Sequence, residues 1–147
     1  MISVCIPTYN GEKFLKQQLD SILLQLSNND EIIVSDDSST DATIEIIKSY
    51  SDSRIKILEN NHFKSPIFNL ENALKYANGD YIFLADQDDV WYSKKVETLM
   101  KYLKKYDCVI SDASIVNSEM EEISPSLFYI NSCKEGFVHN IIKNGFT

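Results

Sequence analysis

Tyr81-Ile82-Phe83-Leu84-Ala85-Asp86-Gln87-Asp88-Asp89-Val90-Trp91 is the stretch on which the reading of this chain turns. Its first half is a short, unbroken apolar run, the pattern of a strand buried on both faces. Its second half sets three carboxylates within four residues. Like charges this close repel, so the cluster weakens the fold unless a cation compensates it or solvent screens it. A buried strand ending in such a turn carries polar chemistry to the carboxyl edge of a sheet, where open α/β domains bind their ligands.

The same rhythm extends in both directions. Residues 2–7 form a compact apolar run that reads as a first strand, and Asn10-Gly11 then offers a turn and an N-cap. Leu15, Leu19, Ile22 and Leu26 follow at helical spacing. Residues 31–35, with Ile32-Ile33-Val34 at their centre, read as a second strand, residues 41–50 as a helix, and residues 54–58 as a third strand. A polar loop over residues 59–65 leads to a helix at Pro66, a residue well tolerated in a first turn. Leu70, Ala73, Leu74 and Ala77 give that helix an apolar stripe, and Asn78-Gly79 ends it. Beyond the acidic turn, Val96, Leu99, Met100 and Leu103 mark another helix, and Cys108-Val109-Ile110 reads as a fifth strand. Buried strands alternating with helices predict a doubly wound α/β domain with a mostly parallel sheet over residues 1–112.

After Asp112 the alternation stops. Ser124-Pro125-Ser126 reads as a loop, Phe128-Tyr129-Ile130 as a strand and residues 137–143 as a short helix. Asn144-Gly145-Phe146-Thr147 reads as a turn leading into further chain, so residues 113–147 are expected to be the incomplete start of a second subdomain. On that reading Phe128, Tyr129, Ile130 and Phe146 should be exposed, mobile or buried in a dimer contact.

Bulk properties narrow the class. The 147 residues are 44% apolar and 24% charged, an ordinary globular composition. No apolar run reaches the ~20 residues that a membrane span needs. Met1 to Ile6 has no basic leader and meets Pro7 at once, a first strand in preference to a signal peptide. A net charge of −8 argues against a nucleic-acid surface. Cys5, Cys108 and Cys133 are odd in number and widely spaced, without disulfide or zinc-ligand spacing, which fits a reducing cytoplasm. Cys5 and Cys108 are expected to be small buried apolar residues.

Three polar clusters fall at strand ends and so on one edge of the sheet. They are Pro7-Thr8-Tyr9-Asn10, Asp36-Asp37-Ser38-Ser39-Thr40-Asp41 and Asp86-Gln87-Asp88-Asp89. The last is either a solvated turn capping the next helix or a site for Mg2+ or Mn2+, which favour hard carboxylate and phosphate oxygens. The glycine and distal glutamate of an EF-hand are missing. In the second cluster Ser38 and Asp41 fit a capping pattern, while Asp37 is free to accept from a base N–H or a ribose hydroxyl. Tyr9 is either a core aromatic or a stacking surface for a base, to which Pro7 and Thr8 would bring backbone groups. No GxGxxG or Walker A sequence is present.

Ser3-Val4-Cys5-Ile6-Pro7-Thr8-Tyr9-Asn10, Val34-Ser35-Asp36-Asp37-Ser38-Ser39-Thr40-Asp41 and Ala85-Asp86-Gln87-Asp88-Asp89-Val90-Trp91 closely resemble the characteristic segments of family 2 glycosyltransferases, in order and spacing across residues 1–112. The Asp-Gln-Asp-Asp-Val-Trp form is similar to bacterial rhamnosyltransferase-type members. The resemblance implies a GT-A fold and inverting transfer from a nucleotide-diphospho-sugar, with a UDP- or dTDP-sugar as donor. The acceptor would be a glycan or lipid-linked saccharide in bacterial surface polysaccharide synthesis. The setting would be cytoplasmic, with association at the membrane surface through sequence absent here.

It implies that Asp37 binds the base and that Pro7, Thr8 and Tyr9 line its pocket. Asp86 would face the ribose or help position the metal, and Asp88 would ligate Mn2+ or Mg2+ at the diphosphate, with Asp89 adjacent. Asn61, Lys64 and Asn69 are candidates on the diphosphate side. Three departures stand out. Ser38 occupies a position often held by glycine, Phe63 stands where a small residue is common, and no match to the family's catalytic base precedes Thr147. A nucleotide-sugar-binding module without catalysis is therefore the alternative. A receiver domain would need an aspartate after strand three and a lysine after strand five, where Leu58-Glu59 and Ile110-Ser111-Asp112 stand. A phosphohydrolase would need its acidic motif after strand one, where Pro7-Thr8-Tyr9 stands.

Overall fold

The computed structural model describes residues 1–131. Packing divides the chain into a unit of Met1–Thr98 and a unit of Leu99–Thr147. In the first, β1 (Ile2–Thr8), β2 (Glu31–Asp36), β3 (Ile55–Leu58) and β4 (Tyr81–Leu84) form one sheet in the order β3-β2-β1-β4. Every pairing in it is parallel, with Cys5 opposite Ile33 on one side and Leu84 on the other. The intervening helices are α1 (Leu15–Leu23), α2 (Thr43–Ser49) and α3 (Pro66–Lys75); α4 (Lys95–Leu103) follows β4. This is the mostly parallel, Rossmann-like sheet expected of a GT-A core. Strand order runs outward from β1 to β3 and then jumps to β4 on the far side of β1. The switch point, where such sheets bind ligands, lies between β1 and β4.

Side-chain alternation sorts the core onto two faces. Cys5 and Ile33 point to one face, where they pack with Ala73 and with Leu58, Leu70 and Ala77 beneath α3. Val4, Ile6, Ile32 and Val34 are fully buried on the other. That face is left to α1 and α2, which pack side by side and bury Leu15, Leu19, Ile22 and Ile47. α3 starts where its sequence signals a start: Ser65 is the N-cap, its hydroxyl accepts from Phe68 N, and Pro66 opens the helix.

Two caps differ from expectation. Asn10-Gly11 does not cap α1. The helix begins at Leu15 after a turn in which Gly11 O accepts from the amides of Phe14 and Leu15, while Asn10 Oδ1 takes the Thr40 amide. Nor does Ser38 cap α2; Asp41 Oδ1 accepts from Thr43 N instead.

In the second unit, β5 (Ile115–Val116) and β6 (Glu122–Ser124) form a small antiparallel pair, followed by α5 (Leu127–Ile130). The expected strand at 108–110 is not formed, and Cys108 is exposed where burial was expected. Three apolar residues are too few to hold a strand without a neighbouring ladder. Phe128-Tyr129-Ile130 is helical and not extended. Asp112 Oδ1 accepts from Phe128 N and Ser126 Oγ accepts from Tyr129 N, which winds the segment into a turn. Tyr129 and Ile130 are exposed as expected, and Phe128 is half-buried. Phe146 and residues 137–143 lie outside the described residues.

Candidate functional site

The carboxyl ends of β1, β2 and β4 surround a cavity of about 700 Å3. Its wall includes Pro7, Thr8, Tyr9, Asp37, Ser38, His62, Lys64, Ser65, Pro66, Asn69, Asp86, Gln87 and Asp88. Eight of the sequence-predicted residues are therefore brought together: Pro7, Thr8, Tyr9, Asp37, Lys64, Asn69, Asp86 and Asp88. Asn61 is not among them. Its amide Nδ2 donates to Leu58 O (2.8 Å), Asp36 O (3.0 Å) and Ser35 Oγ (3.3 Å), so it staples the loop to the sheet from below.

Each strand end is fixed by its own bonds. At the end of β1 Tyr9 is 57% exposed and lies on the cavity wall. Thr8 is buried; its carbonyl accepts from Asp37 N (2.9 Å) and from Asn69 Nδ2 (3.1 Å). At the end of β2 two adjacent aspartates divide the work. Asp36 is buried and accepts from Thr8 Oγ1 (2.9 Å) and from both Ser39 N (2.8 Å) and Ser39 Oγ (2.5 Å). Asp37 accepts from Phe63 N (2.6 Å) and Ser65 N (3.3 Å), so its carboxylate holds the 61–65 loop against the pocket. Ser38 has φ 62°, the left-handed region that explains why glycine is frequent there. Its hydroxyl donates to Asn61 O at 2.5 Å, so the 3.0 Å contact with His62 Nδ1 requires the proton to sit on the imidazole.

At the end of β4, burial against the surrounding protein and then the Asp88 charge push the Asp86 carboxyl above its usual range, although its side chain still meets solvent. Asp89 is raised likewise, by burial and then by Asp86, with Lys95 opposing. Among the described residues no three His, Cys, Asp or Glu side chains converge into a preformed metal cage. The donor set nevertheless fits a hard divalent ion. Mg2+ and Mn2+ are commonly held by one or two carboxylates, with substrate phosphates supplying further oxygens, and Asp86 and Asp88 repel each other until a cation arrives. A second mark of an incomplete site is Asn69 Oδ1, a buried acceptor with no partner among the described residues.

Residues that sequence reasoning did not assign hold the acidic turn in place. Gln18, fully buried in the apolar stripe of α1, donates to Asp86 O at 2.8 Å. Ser21 Oγ accepts from Trp91 N and Gln25 Oε1 from Val96 N. Gln87 pairs with the backbone of Tyr9 through both its amide atoms. The available signal was a run of polar residues at helical spacing, Gln18, Ser21 and Gln25, interrupting an otherwise apolar helix face. No described helix is long and apolar enough to cross a membrane.

The model of "Glycosyl transferase family 2" matches residues 3–142. The chain is 37% identical over 105 residues to the Escherichia coli UDP-Glc:alpha-D-GlcNAc-diphosphoundecaprenol beta-1,3-glucosyltransferase WfgD, covering 71% of this chain and 42% of that protein. It is 32% identical to the glycosyltransferase GlyA of Streptococcus pneumoniae serotype 4, covering 97% of this chain and 20% of GlyA. Among solved structures, S. aureus TarS 1-349 in complex with UDP aligns with a TM-score of 0.65 at 28% identity, over 72% of this chain and 32% of that one. The Pyrobaculum calidifontis mannosyltransferase PcManGT, in complex with GDP-Man and Mn2+, aligns with a TM-score of 0.65 at 25% identity, over 79% of this chain and 35% of that one. The chain thus spans less than half the length of these relatives, and it belongs to glycosyl transferase family 2.

Proposed function

We propose that this chain carries the donor site of a glycosyltransferase that moves a sugar from a nucleotide-diphospho-sugar to a glycan or lipid-linked saccharide with inversion. One observation carries the reading: a single cavity is lined by an exposed aromatic residue, Tyr9, at one strand end and by a repelling carboxylate pair, Asp86 and Asp88, at another. A nucleotide diphosphate has the complementary order, an aromatic base at one end and a metal-binding phosphate pair at the other.

Tyr9 stacks on the base, with the Pro7 and Thr8 backbone beside it. Asp37 shapes the base pocket through the 61–65 loop and accepts from the base with its remaining lone pairs. Lys64 faces the diphosphate, and Asn69 Oδ1 accepts from a donor group of the ligand. Asp86 reaches toward the ribose and, with Asp88, holds Mn2+ or Mg2+. When bound, the cation neutralises charge that develops on the leaving diphosphate. In the transfer, an acceptor oxygen bonds to the anomeric carbon as the bond to the diphosphate breaks. The diphosphate leaves with the electron pair, and a base takes the acceptor's proton. We assign no base within the described residues.

UDP-sugars are the favoured donors, because WfgD is named for UDP-Glc and TarS has been solved with UDP. A dTDP-sugar is the donor to compare, and the rhamnosyl-type motif keeps it in the panel. Lipid-linked acceptors would place the work at the cytoplasmic face of a membrane. The test is a thermal-shift panel of UDP, dTDP and GDP and their sugars, with and without Mn2+. Saturation a hundredfold above Kd adds about 2.7 kcal/mol. A UDP-specific, Mn2+-dependent rise in melting temperature supports the proposal, and the absence of any nucleotide effect overturns it. Transfer of sugar to an acceptor separates an enzyme from a donor-binding module.

A further inference from the structure

We infer that Gln87 is a positioning residue that locks the base-binding end of the cavity to its acidic end across the sheet's switch point. The inference rests on the donor-site reading above.

β1 and β4 are paired only as far as Cys5 and Leu84; beyond that the strands separate, Ala85 N still donating to Cys5 O at 3.1 Å. Four residues past Cys5, the Gln87 side chain restores a two-bond link. Tyr9 N donates to Gln87 Oε1 at 2.9 Å, and Gln87 Nε2 donates to Tyr9 O at 3.1 Å. One primary amide thus stands in for a backbone peptide and continues the ladder across the crevice. It fixes Tyr9, whose ring carries the base in our reading, directly to the segment between Asp86 and Asp88.

Gly11 supplies independent support. A Cβ there would lie 2.5 Å from Gln87 Oε1 and 2.9 Å from its Cδ, closer than to any other described residue beyond its chain neighbours. The chain between β1 and α1 therefore leaves room for this amide. Gln18 fixes the other end of the same turn by donating to Asp86 O, so the acidic segment is held from α1 and from β1 together. Only an amide serves both contacts. Glutamate would lose the donor and set a carboxylate oxygen against Tyr9 O, and methionine would keep the length while losing both bonds.

The test uses this chain with Gln87→Met, Gln87→Glu, Gly11→Ala and the double variant Gly11→Ala/Gln87→Ala. Three readouts apply: Tyr9 amide exchange by NMR, melting temperature, and calorimetric titration with uridine and with UDP plus Mn2+. Gln87→Met should speed Tyr9 exchange at least about tenfold, since both bonds are lost, and Gln87→Glu should speed it less, since the carboxylate can still accept from Tyr9 N. Uridine and UDP should both weaken about tenfold, with the melting temperature lowered only by the few degrees that the lost bonds account for. Gly11→Ala should give the same pattern by pushing the amide out, and the double variant should bind no more weakly than Gly11→Ala alone. A residue that only stabilised the fold would lower the melting temperature and leave uridine affinity alone. Unchanged Tyr9 exchange, or full nucleotide affinity with the clamp removed, overturns the inference. If the parent binds UDP, dTDP and GDP in no case, the donor-site reading falls and the inference falls with it, whereas parent binding that survives every Gln87 change defeats the inference alone.

Discussion

Glu31 and Asp37 stand at opposite ends of β2, and their partners give them different duties. Glu31, at the amino end of β2, is buried and accepts from Ser3 Oγ (2.6 Å), Asn78 N (2.7 Å) and Lys56 Nζ (2.5 Å). Burial alone would raise its pKa. The hydrogen bonds from Lys56, Ser3 and Asn78 outweigh that and hold it at about 2, down from 4.5. A group depressed on folding contributes stability above its unfolded pKa and loses it as pH falls toward the folded value. The contribution, ~3 kcal/mol from the size of the shift, is trimmed to roughly 2 because Lys56 is half-exposed. Melting curves of the parent should therefore fall between pH 4.5 and 2, and Glu31→Gln should be less stable at pH 7 and flatter over that window. Equal pH slopes in the two proteins would remove Glu31 from the balance. Asp37 works at the opposite edge, gripping the 61–65 loop. Asp37→Ala should weaken uridine and UDP alike, by about tenfold, with or without Mn2+, since hydrogen bonds to a charged group are worth about 1.5–3 kcal/mol. Normal calorimetric affinity would make Asp37 a purely structural residue. The sequence located Asp37 at the ligand edge, yet its loop partners were invisible there, because Phe63 N and Ser65 N are backbone groups that no side-chain pattern encodes.

At the level of elements, legibility followed the length and purity of the apolar runs. The cores of β1 and β2 are unbroken apolar runs buried between the helices, so their sequence pattern and their structure agree. β4 forms where its run predicts a strand, but not buried on both faces as expected: it lies at the sheet edge, with Phe83 buried and Ile82 and Leu84 exposed. α3 starts where Ser65-Pro66 marks a start, but it stops at Lys75 with Tyr76 as its C-cap, ahead of Asn78-Gly79. Residues 108–110 and 128–130 were misread because each has three apolar residues and no period to favour one structure. Asp112 and Ser126, bonding at a distance, decide the second. The turn after α3 shows how strongly one residue can constrain an element. A Cβ on Gly79 would lie 2.6 Å from Ser3 N and 2.8 Å from the Ile2 carbonyl carbon, both backbone atoms of β1 that cannot swing aside. Gly79→Ala should displace the approach to β4 and lower stability by about 1–3 kcal/mol in chemical denaturation, the usual range for overpacking. A change under half of that would mean the turn yields without β1.

Across the first unit, the two edges of the sheet carry different burdens. The amino edge is closed by ion pairs and hydrogen bonds, among them Glu31 with Lys56 and the Met1 amino group with Asp80 (3.0 Å). The carboxyl edge keeps what folding alone would discard: an exposed tyrosine ring, an orphaned asparagine oxygen and two carboxylates in repulsion. Local rules fail there together, which is expected where a ligand completes the structure. The most direct measurement is calorimetric titration of UDP into the parent and into Asp88→Asn, first with Mn2+ and then with EDTA. Removing one charge of the repelling pair should leave the free variant as stable as the parent or slightly more so. The parent should bind UDP much more tightly with Mn2+ than with EDTA, the variant should lose that difference, and uridine should bind both nearly equally. Equal Mn2+ enhancement in parent and variant, or none in either, would contradict a donor site built around Asp88.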